Sequence, residues 1–386
     1  MKSRAFRVPS TIHFGVGAVS EAGGEAKHLG AKRALLITDK VLASTGTIDP
    51  VIESLSAAGV ETIVFEGVNS EPTTAHVREG VTMFREGAGD ILIACGGGSP
   101  IDVAKAVRVL ATNDGAIENF MGFNKIGRPG VPLVAIPTTA GTGSEATMVT
   151  IITDTSRDVK MLIGSPFLLP TVALVDPAMT LRMPRGLTAA TGLDALTHAI
   201  EAYVSVKNQP LTDMLALSAI KKISRFLPQA WANPDNLDAR SETMLGALQA
   251  GIAFSNSSVA LVHGMSRPIG ANFHVPHGVS NAALLGVVME FSLMGAPDRY
   301  ADVAEAMGLK TDGMTLMEAA QAGSDTVKAL ICKLQVPTLS KLGVTREKLD
   351  QVVSKMADDA IASGSPGNNP RKATKEEIID LYYAAL

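Results

Sequence analysis

The stretch Asp90-Ile-Leu-Ile-Ala-Cys95-Gly96-Gly97-Gly98-Ser99-Pro100-Ile-Asp102-Val-Ala-Lys105 decides the fold. A short continuous apolar run ends in three glycines, and a helical pattern begins directly after them. Such a run, bounded by glycine, reads as a buried strand of a parallel sheet. The glycines let a phosphate approach the backbone, and the helix N-terminus behind them favours negative charge. Ser99 is expected as the N-cap, Pro100 at the first helical position and Asp102 in the place of a capping-box acid.

Outward from this stretch the alternation continues. Strands are expected at 33–38, 61–65, 90–95, 133–136 and 172–175, with helices at 51–58, 76–86 and 101–110 between them. Strands separated by helices of this length give a parallel sheet covered on both faces. A strand or hairpin is expected at 148–153, followed by the turn Asp154-Thr-Ser-Arg-Asp158. Beyond Asp176-Pro177 helical periodicity takes over, at 187–206, 210–229, 239–254, 279–294, 297–307, 316–334, 346–361 and 375–386. The expected organisation is an α/β dinucleotide-binding domain over 1–180 and an all-helical domain over 181–386, joined near Arg182-Met-Pro-Arg-Gly186. A chain of 386 residues has ample length for both.

In the helical half, Asp194-Ala-Leu-Thr-His198 places two side chains on one helix face, one turn apart. Flanking residues are apolar nearly all round, so the helix is expected to be buried, where an Asp and a His need partners. Three of the seven histidines fall between 263 and 277, in Leu-Val-His263-Gly-Met-Ser-Arg267-Pro-Ile-Gly-Ala-Asn-Phe-His274-Val-Pro-His277, which reads as Gly- and Pro-punctuated loop. One carboxylate and several imidazoles suit a divalent ion. The spacing fits a simple Asp–His pair as well, and does not choose between His274 and His277.

Two further features suit a polar cofactor. Thr138-Thr139-Ala-Gly-Thr142-Gly-Ser144-Glu145-Ala-Thr147 follows a strand and offers five hydroxyls. Asp39 ends the first strand, where a carboxylate can take a ribose hydroxyl and repel a 2′-phosphate; it serves equally as a turn residue or N-cap. The acid precedes the glycine loop, so this is not the usual Rossmann order.

Composition excludes other classes. Charged residues are 19% of the chain, net charge is −4 and no long run has one sign, so nothing is built for nucleic acid or an anionic membrane. Neither Cys95 nor Cys332 has a CxxC partner. The N-terminus lacks an apolar h-region, and no uninterrupted apolar run reaches membrane-spanning length. A cytoplasmic setting follows as the expectation.

Together these segments resemble the iron-dependent (group III) alcohol dehydrogenase family. The resemblance runs through Phe14-Gly-Val-Gly17, Thr38-Asp39-Lys40, Gly96-Gly-Gly-Ser99, Pro137-Thr-Thr-Ala-Gly-Thr-Gly-Ser-Glu145, Val175-Asp176-Pro177, Asp194 to Glu201, His263-Gly-Met, Pro276-His277-Gly278 and Asn369-Pro-Arg371. It implies a dehydroquinate synthase-like architecture, NAD and one divalent metal, with Fe²⁺ first and Zn²⁺, Mn²⁺ or Ni²⁺ as alternatives. By match to the motifs, Asp194, His198, His263 and His277 would be metal ligands, with Asp194, His263 and His277 at the catalytic centre. Gly97, Gly98, Ser99, Asp102, Asp39, Thr138, Thr139, Ser144, Thr147 and Lys160 would contact the cofactor. A homo-oligomer, dimer or higher, is implied in the same way.

The implied reaction is hydride transfer between a small primary alcohol or short diol and NAD⁺. An aspartate, three neutral imidazoles and a divalent cation leave a net positive charge that favours loss of the hydroxyl proton. The alternative is a dehydroquinate synthase-like or glycerol dehydrogenase-like enzyme. The former would call for extra Lys and Arg, whereas Gly251-Ile-Ala-Phe254 fits a small alcohol. One position departs from the family pattern: Arg267 stands where many relatives carry a second histidine, and a guanidinium cannot act as a base.

Overall fold

The computed structural model describes residues 3–157 and 159–386. Asp158 of the expected turn, and Met1 and Lys2 of the N-terminus, lie outside them. Contacts divide the chain into two compact units, Arg7–Arg182 and Met183–Leu386, the second joined by the first few residues of the chain.

The first unit contains β1 (Thr11–Phe14), β2 (Arg33–Ile37), β3 (Glu61–Phe65), β4 (Ile91–Gly96), β5 (Gly122–Phe123), β6 (Leu133–Pro137), β7 (Val149–Asp154), β8 (Val159–Gly164) and β9 (Val172–Val175). Its helices are α1 (Ala22–His28), α2 (Lys40–Ser44), α3 (Asp49–Ala57), α4 (Thr74–Glu86) and α5 (Gly98–Leu110). Six strands form one parallel sheet in the order β1-β9-β6-β4-β2-β3. Alternate residues of β4 feed two cores: Leu92 and Ala94 pack with α4 and α5, whereas Ile91, Ile93 and Cys95 pack with α1 and α3. Both faces are apolar because both are covered, which is why these strands read as continuous hydrophobic runs. Burial, with the charge of Asp39 adding, pushes the Cys95 thiol up to about 12, so it serves as a small hydrophobe.

The order of the sheet locates its ligand crevice. From β2 the chain proceeds outward to β3, then returns across to β4 and proceeds the other way through β6 and β9. The switch point therefore lies at the carboxyl ends of β2 and β4, where open α/β sheets bind ligands. Asp39 follows β2 there, Gly97 and Gly98 follow β4, and Thr138 and Thr139 follow the adjacent β6.

Several elements were not legible. The edge strand β1 is only half-buried, and α1 carries two glycines in seven residues. The expected hairpin is present: β7 and β8 pair antiparallel and join β5 in a separate small sheet.

The second unit is built from α6 (Arg185–Val204), α7 (Pro210–Ala232), α8 (Leu237–Asn256), α9 (Leu261–Phe273), α10 (His277–Ser292), α11 (Pro297–Ala306), α12 (Leu316–Lys333), α13 (Arg346–Ala362) and α14 (Lys375–Ala384). α6 is buried almost all round, as its apolar composition required. The expectation that 263–277 is irregular is corrected. α9 is helical and takes Pro268 into its interior, masking the pattern that would have identified it. It ends at His274, which adopts a left-handed conformation with φ 55°, and α10 starts at His277. Of the described helices, only the stretch His277–Gly295 is by itself long and apolar enough to cross a membrane, and 61% of it is buried in the protein, as in a core helix.

Candidate metal centre and cofactor loops

Three helices bring the metal candidates together. Asp194 and His198 lie on α6, His263 in the first turn of α9, and His277 is the first residue of α10. His263 Nε2 is 3.5 Å from Asp194 Oδ1, and His277 Nε2 is 3.7 Å from the same oxygen. One ligand atom from each of Asp194, His263 and His277 lies within 4.8 Å of the others. These separations approach the roughly 3.4 Å edge of a tetrahedron with bonds of about 2.1 Å, so the residues fit a divalent ion. His198 adjoins this set: its Nδ1 is 4.0 Å from Asp194 Oδ2, and its ring stacks on His263 with centroids 4.4 Å apart. Of the two histidines left open by spacing, His277 is the one grouped with Asp194 and His263.

Close packing fixes His277. A Cβ on Gly278 would lie 2.4 Å from the Ala190 carbonyl oxygen, so only glycine lets the start of α10 meet the α6 backbone. The electrostatics of the set are unusual. Burial opposes the charge of Asp194, but the imidazoles of His198, His277 and His263 hold its carboxyl well below the usual range. Burial alone would lower His263; the carboxylates of Glu201 and Asp194 instead raise it to about 9. The same two carboxylates that favour the imidazolium would favour a metal cation at this place.

Two functional candidates escaped the sequence reading. Glu201 Oε2 is 2.5 Å from His263 Nδ1, and its Oε1 accepts from the Val262 amide at 2.6 Å. It orients the imidazole and, in the neutral ring, holds the proton on Nδ1, leaving Nε2 as the ligand atom. Its signal was the seven-residue spacing from Asp194, which continues the same helix face. Asn281 follows His277 by one turn; its Nδ2 lies 2.6 Å from Asp194 Oδ1 and 3.1 Å from His263 Nε2. Phe254 stacks on His198 with centroids 4.2 Å apart, putting an apolar wall beside the cluster.

In the first unit, the capping expectation at Ser99 is corrected. Helix α5 starts two residues earlier, with Gly97 as N-cap and no side-chain capping bond. Its N-terminal amides therefore face the switch point without a side-chain cap, an arrangement suited to a phosphate. Gly98 sits so close to the second loop that a Cβ would lie 3.0 Å from Thr142 Cγ2. Asp102, thereby moved into the second helical turn, is no capping acid. It accepts from Ser144 Oγ at 2.6 Å and the Ile151 amide at 3.0 Å. The buried Lys105, absent from the sequence-derived set, donates to Thr147 Oγ1 at 2.8 Å and Val149 O at 2.9 Å. Asp102, Ser144 and Thr147 thus bind the two loops to each other. Asp39 caps α2 through the Leu42 amide at 2.9 Å, and Lys160 pairs with Glu71 at 2.6 Å. Thr138 is buried at the end of β6 and Thr139 half-buried beside it.

Comparison with known proteins decides the family. Residues 9–177 match the model for iron-containing alcohol dehydrogenase, and residues 188–386 match that for the C-terminal part of the Fe-containing alcohol dehydrogenase family. The chain belongs to the iron-containing alcohol dehydrogenase family. It is 40% identical over 384 residues to 1,3-propanediol dehydrogenase of Citrobacter freundii, covering 99% of this chain and 98% of the relative. It is 37% identical over 382 residues to NAD-dependent methanol dehydrogenase of Bacillus methanolicus, covering 99% of each. A crystal structure of 1,3-propanediol oxidoreductase superposes with a TM-score of 0.97 at 38% identity, covering 100% of both chains. As a member of this family the chain is an oxidoreductase of the iron-containing alcohol dehydrogenase class. The dehydroquinate synthase-like and glycerol dehydrogenase-like alternatives are not favoured by these matches.

Proposed function

We propose that the enzyme interconverts a small primary alcohol or short diol and its aldehyde, with Asp194, His198, His263 and His277 holding one divalent ion. Iron is the first choice, with zinc, manganese and nickel as alternatives. The observation that carries this reading is the convergence of Asp194, His263 and His277 within 4.8 Å of one another in a protein of this family. A bound ion would lower the pKa of the alcohol hydroxyl, and bound NAD⁺ would accept the hydride.

The chain's own residues do the rest. Glu201 fixes the His263 ring, Phe254 keeps the neighbourhood apolar, and Asp194 supplies the negative charge that retains a cation. Gly97, Gly98 and Ser99 offer backbone amides to the pyrophosphate, with Thr138 and Thr139 alongside. Asp39 takes a ribose hydroxyl and disfavours NADP⁺. Asp102, Ser144 and Thr147 act by shaping the loops. Arg267 donates to Ser365 Oγ at 3.3 Å and remains charged, so the substrate proton leaves by another route, water or His274 among them. We place the enzyme in the cytoplasm as a homo-oligomer of two or more chains, without nucleic-acid or membrane partners; its mixed surface charge and family resemblance support this.

The test uses metal-stripped enzyme refilled with one metal at a time and assayed with NAD⁺ and straight-chain alcohols from methanol to hexanol, plus short diols. NADH formation that returns with metal supports the reading. Turnover indifferent to metal, or none with any simple alcohol, overturns it.

A further inference from the structure

One amide nitrogen stands in the middle of the candidate metal centre. Asn281 Nδ2 lies 2.6 Å from Asp194 Oδ1, 3.1 Å from His263 Nε2 and 3.2 Å from His277 Nε2. An ionised carboxylate only accepts, so the nitrogen, and not the oxygen, of the amide must face Asp194. The other end shows the consequence: Asn281 Oδ1 is buried and has no hydrogen-bond partner. Buried amides ordinarily satisfy both ends. Here the side chain is arranged for the ligand set at the expense of its own carbonyl.

The location is as telling as the chemistry. A divalent ion would stand about 2.0–2.2 Å from each ligand atom. An amide nitrogen at hydrogen-bond distance from the same three atoms occupies nearly the same place. Asn281 is the residue that can do this, because it sits four positions after His277 and so on the same face of α10, turned towards α6 and α9.

We infer that Asn281 is an internal stand-in for the metal. In the metal-free protein one N–H holds the Asp194 carboxylate, the amide nitrogen keeps the His263 and His277 rings beside it near ligand positions, and the side chain must withdraw before an ion enters. The inference rests on the metal reading above and adds a loading step to it. It makes Asn281 a positioning residue whose contribution is largest when no ion is bound. Removing its donors should therefore weaken the metal-free form more than the loaded form, and removing its bulk should speed ion entry.

The experiment compares wild type, Asn281→Ala and Asn281→Ser, each stripped by chelation and refilled with cobalt(II). Cobalt uptake is followed by visible absorption in a stopped-flow instrument, and thermal unfolding is recorded with and without cobalt. Loss of the hydrogen bond to the Asp194 carboxylate predicts uptake about tenfold faster in Asn281→Ala. The fall in Tm should be larger in the metal-free form than in the cobalt form. Asn281→Ser, smaller but still a donor, should fall between and covers the case in which the alanine variant does not fold. Unchanged uptake together with equal Tm shifts in both forms would make Asn281 an ordinary core residue and overturn the inference. Failure of the metal reading itself has a different signature: His263→Ala would then take up cobalt as wild type does.

Discussion

Each unit buries one cluster of ionisable side chains, and the two close their hydrogen bonds differently. In the first unit, Lys105 gives its ammonium to Thr147, Val149 and, at 4.0 Å, Asp102, which in turn accepts from Ser144 and Ile151. Cation, carboxylate and hydroxyls satisfy one another. In the second unit, Asp194, His263 and His277 meet the Asn281 amide nitrogen, while Glu201 takes the Val262 amide and faces His263 Nδ1. The first cluster is complete and acts as architecture, whereas the second gathers a carboxylate and imidazole nitrogens that can turn to a cation. Burial and unusual pKa values are common to both, so counting donors against acceptors is what separates a binding site from an internal brace.

Breaking the incomplete cluster has the largest expected effect on activity. His263→Ala and His277→Ala should each lower kcat by about a thousandfold or more, through lost metal charge, while circular dichroism shows an intact fold. Metal content should fall in parallel. Near wild-type turnover with full metal occupancy would remove either residue from the ligand set.

The complete cluster should fail in stability instead. Lys105→Met leaves Asp102 and Glu145 buried without their cation, and should cost about 3–5 kcal/mol in denaturant unfolding with metal affinity unchanged. The pH dependence has a definite sign. Burial lowers Lys105 to about 8, against an ordinary 10.5. Between those values the unfolded chain holds a proton that the folded chain has released, so this group's contribution to stability rises with pH. The stability gap between wild type and Lys105→Met should widen from pH 8 to pH 10.5, the window set by Lys105 itself. A gap that narrows would show that Lys105 stays charged throughout.

Glu201→Gln tests a subtler link. The amide can still accept from His263 but no longer supplies charge, so metal affinity should fall about 10–100-fold with little change in coordination. Chelator competition would measure it, and an unchanged Kd would reduce Glu201 to a backbone clamp for Val262 and His263. The smallest expected effects lie outside both clusters. Asp39→Gly should shift the kcat/KM ratio towards NADP⁺, and the absence of any shift would place Asp39 away from the ribose. Arg267→His should add a titrating group near neutral pH and alter the pH profile of kcat/KM without altering metal content.

The residues made some of this legible and hid the rest. Strands β2, β4, β6 and β9 were readable because a sheet covered on both faces must be apolar throughout, and the edge strand β3 because of its β-branched and aromatic Thr62–Phe65 run. Asp194 and His198 were readable because four-residue spacing on an apolar helix isolates them. Helix α9 was hidden by Pro268, and with it the fact that His263 faces α6. Glu201 and Asn281 were hidden for a different reason: each shares a helix face with a ligand candidate, but the His263 each meets is brought close only by tertiary packing. The Lys105 brace was invisible for the same reason, since its partners Thr147 and Val149 lie more than forty positions away.

The backbone contact at Gly278 gives the centre a fixed gauge. Side chains between two helices can change rotamer and let the helices drift apart or together. Where α10 meets the Ala190 carbonyl directly, there is no such adjustable spacer. The span between His277 and Asp194 is then a dimension of the scaffold, comparable to the jaw opening of a fixed spanner. Within that fixed span the donor set selects the ion: imidazole nitrogens suit zinc, iron and nickel, whereas calcium takes oxygen ligands.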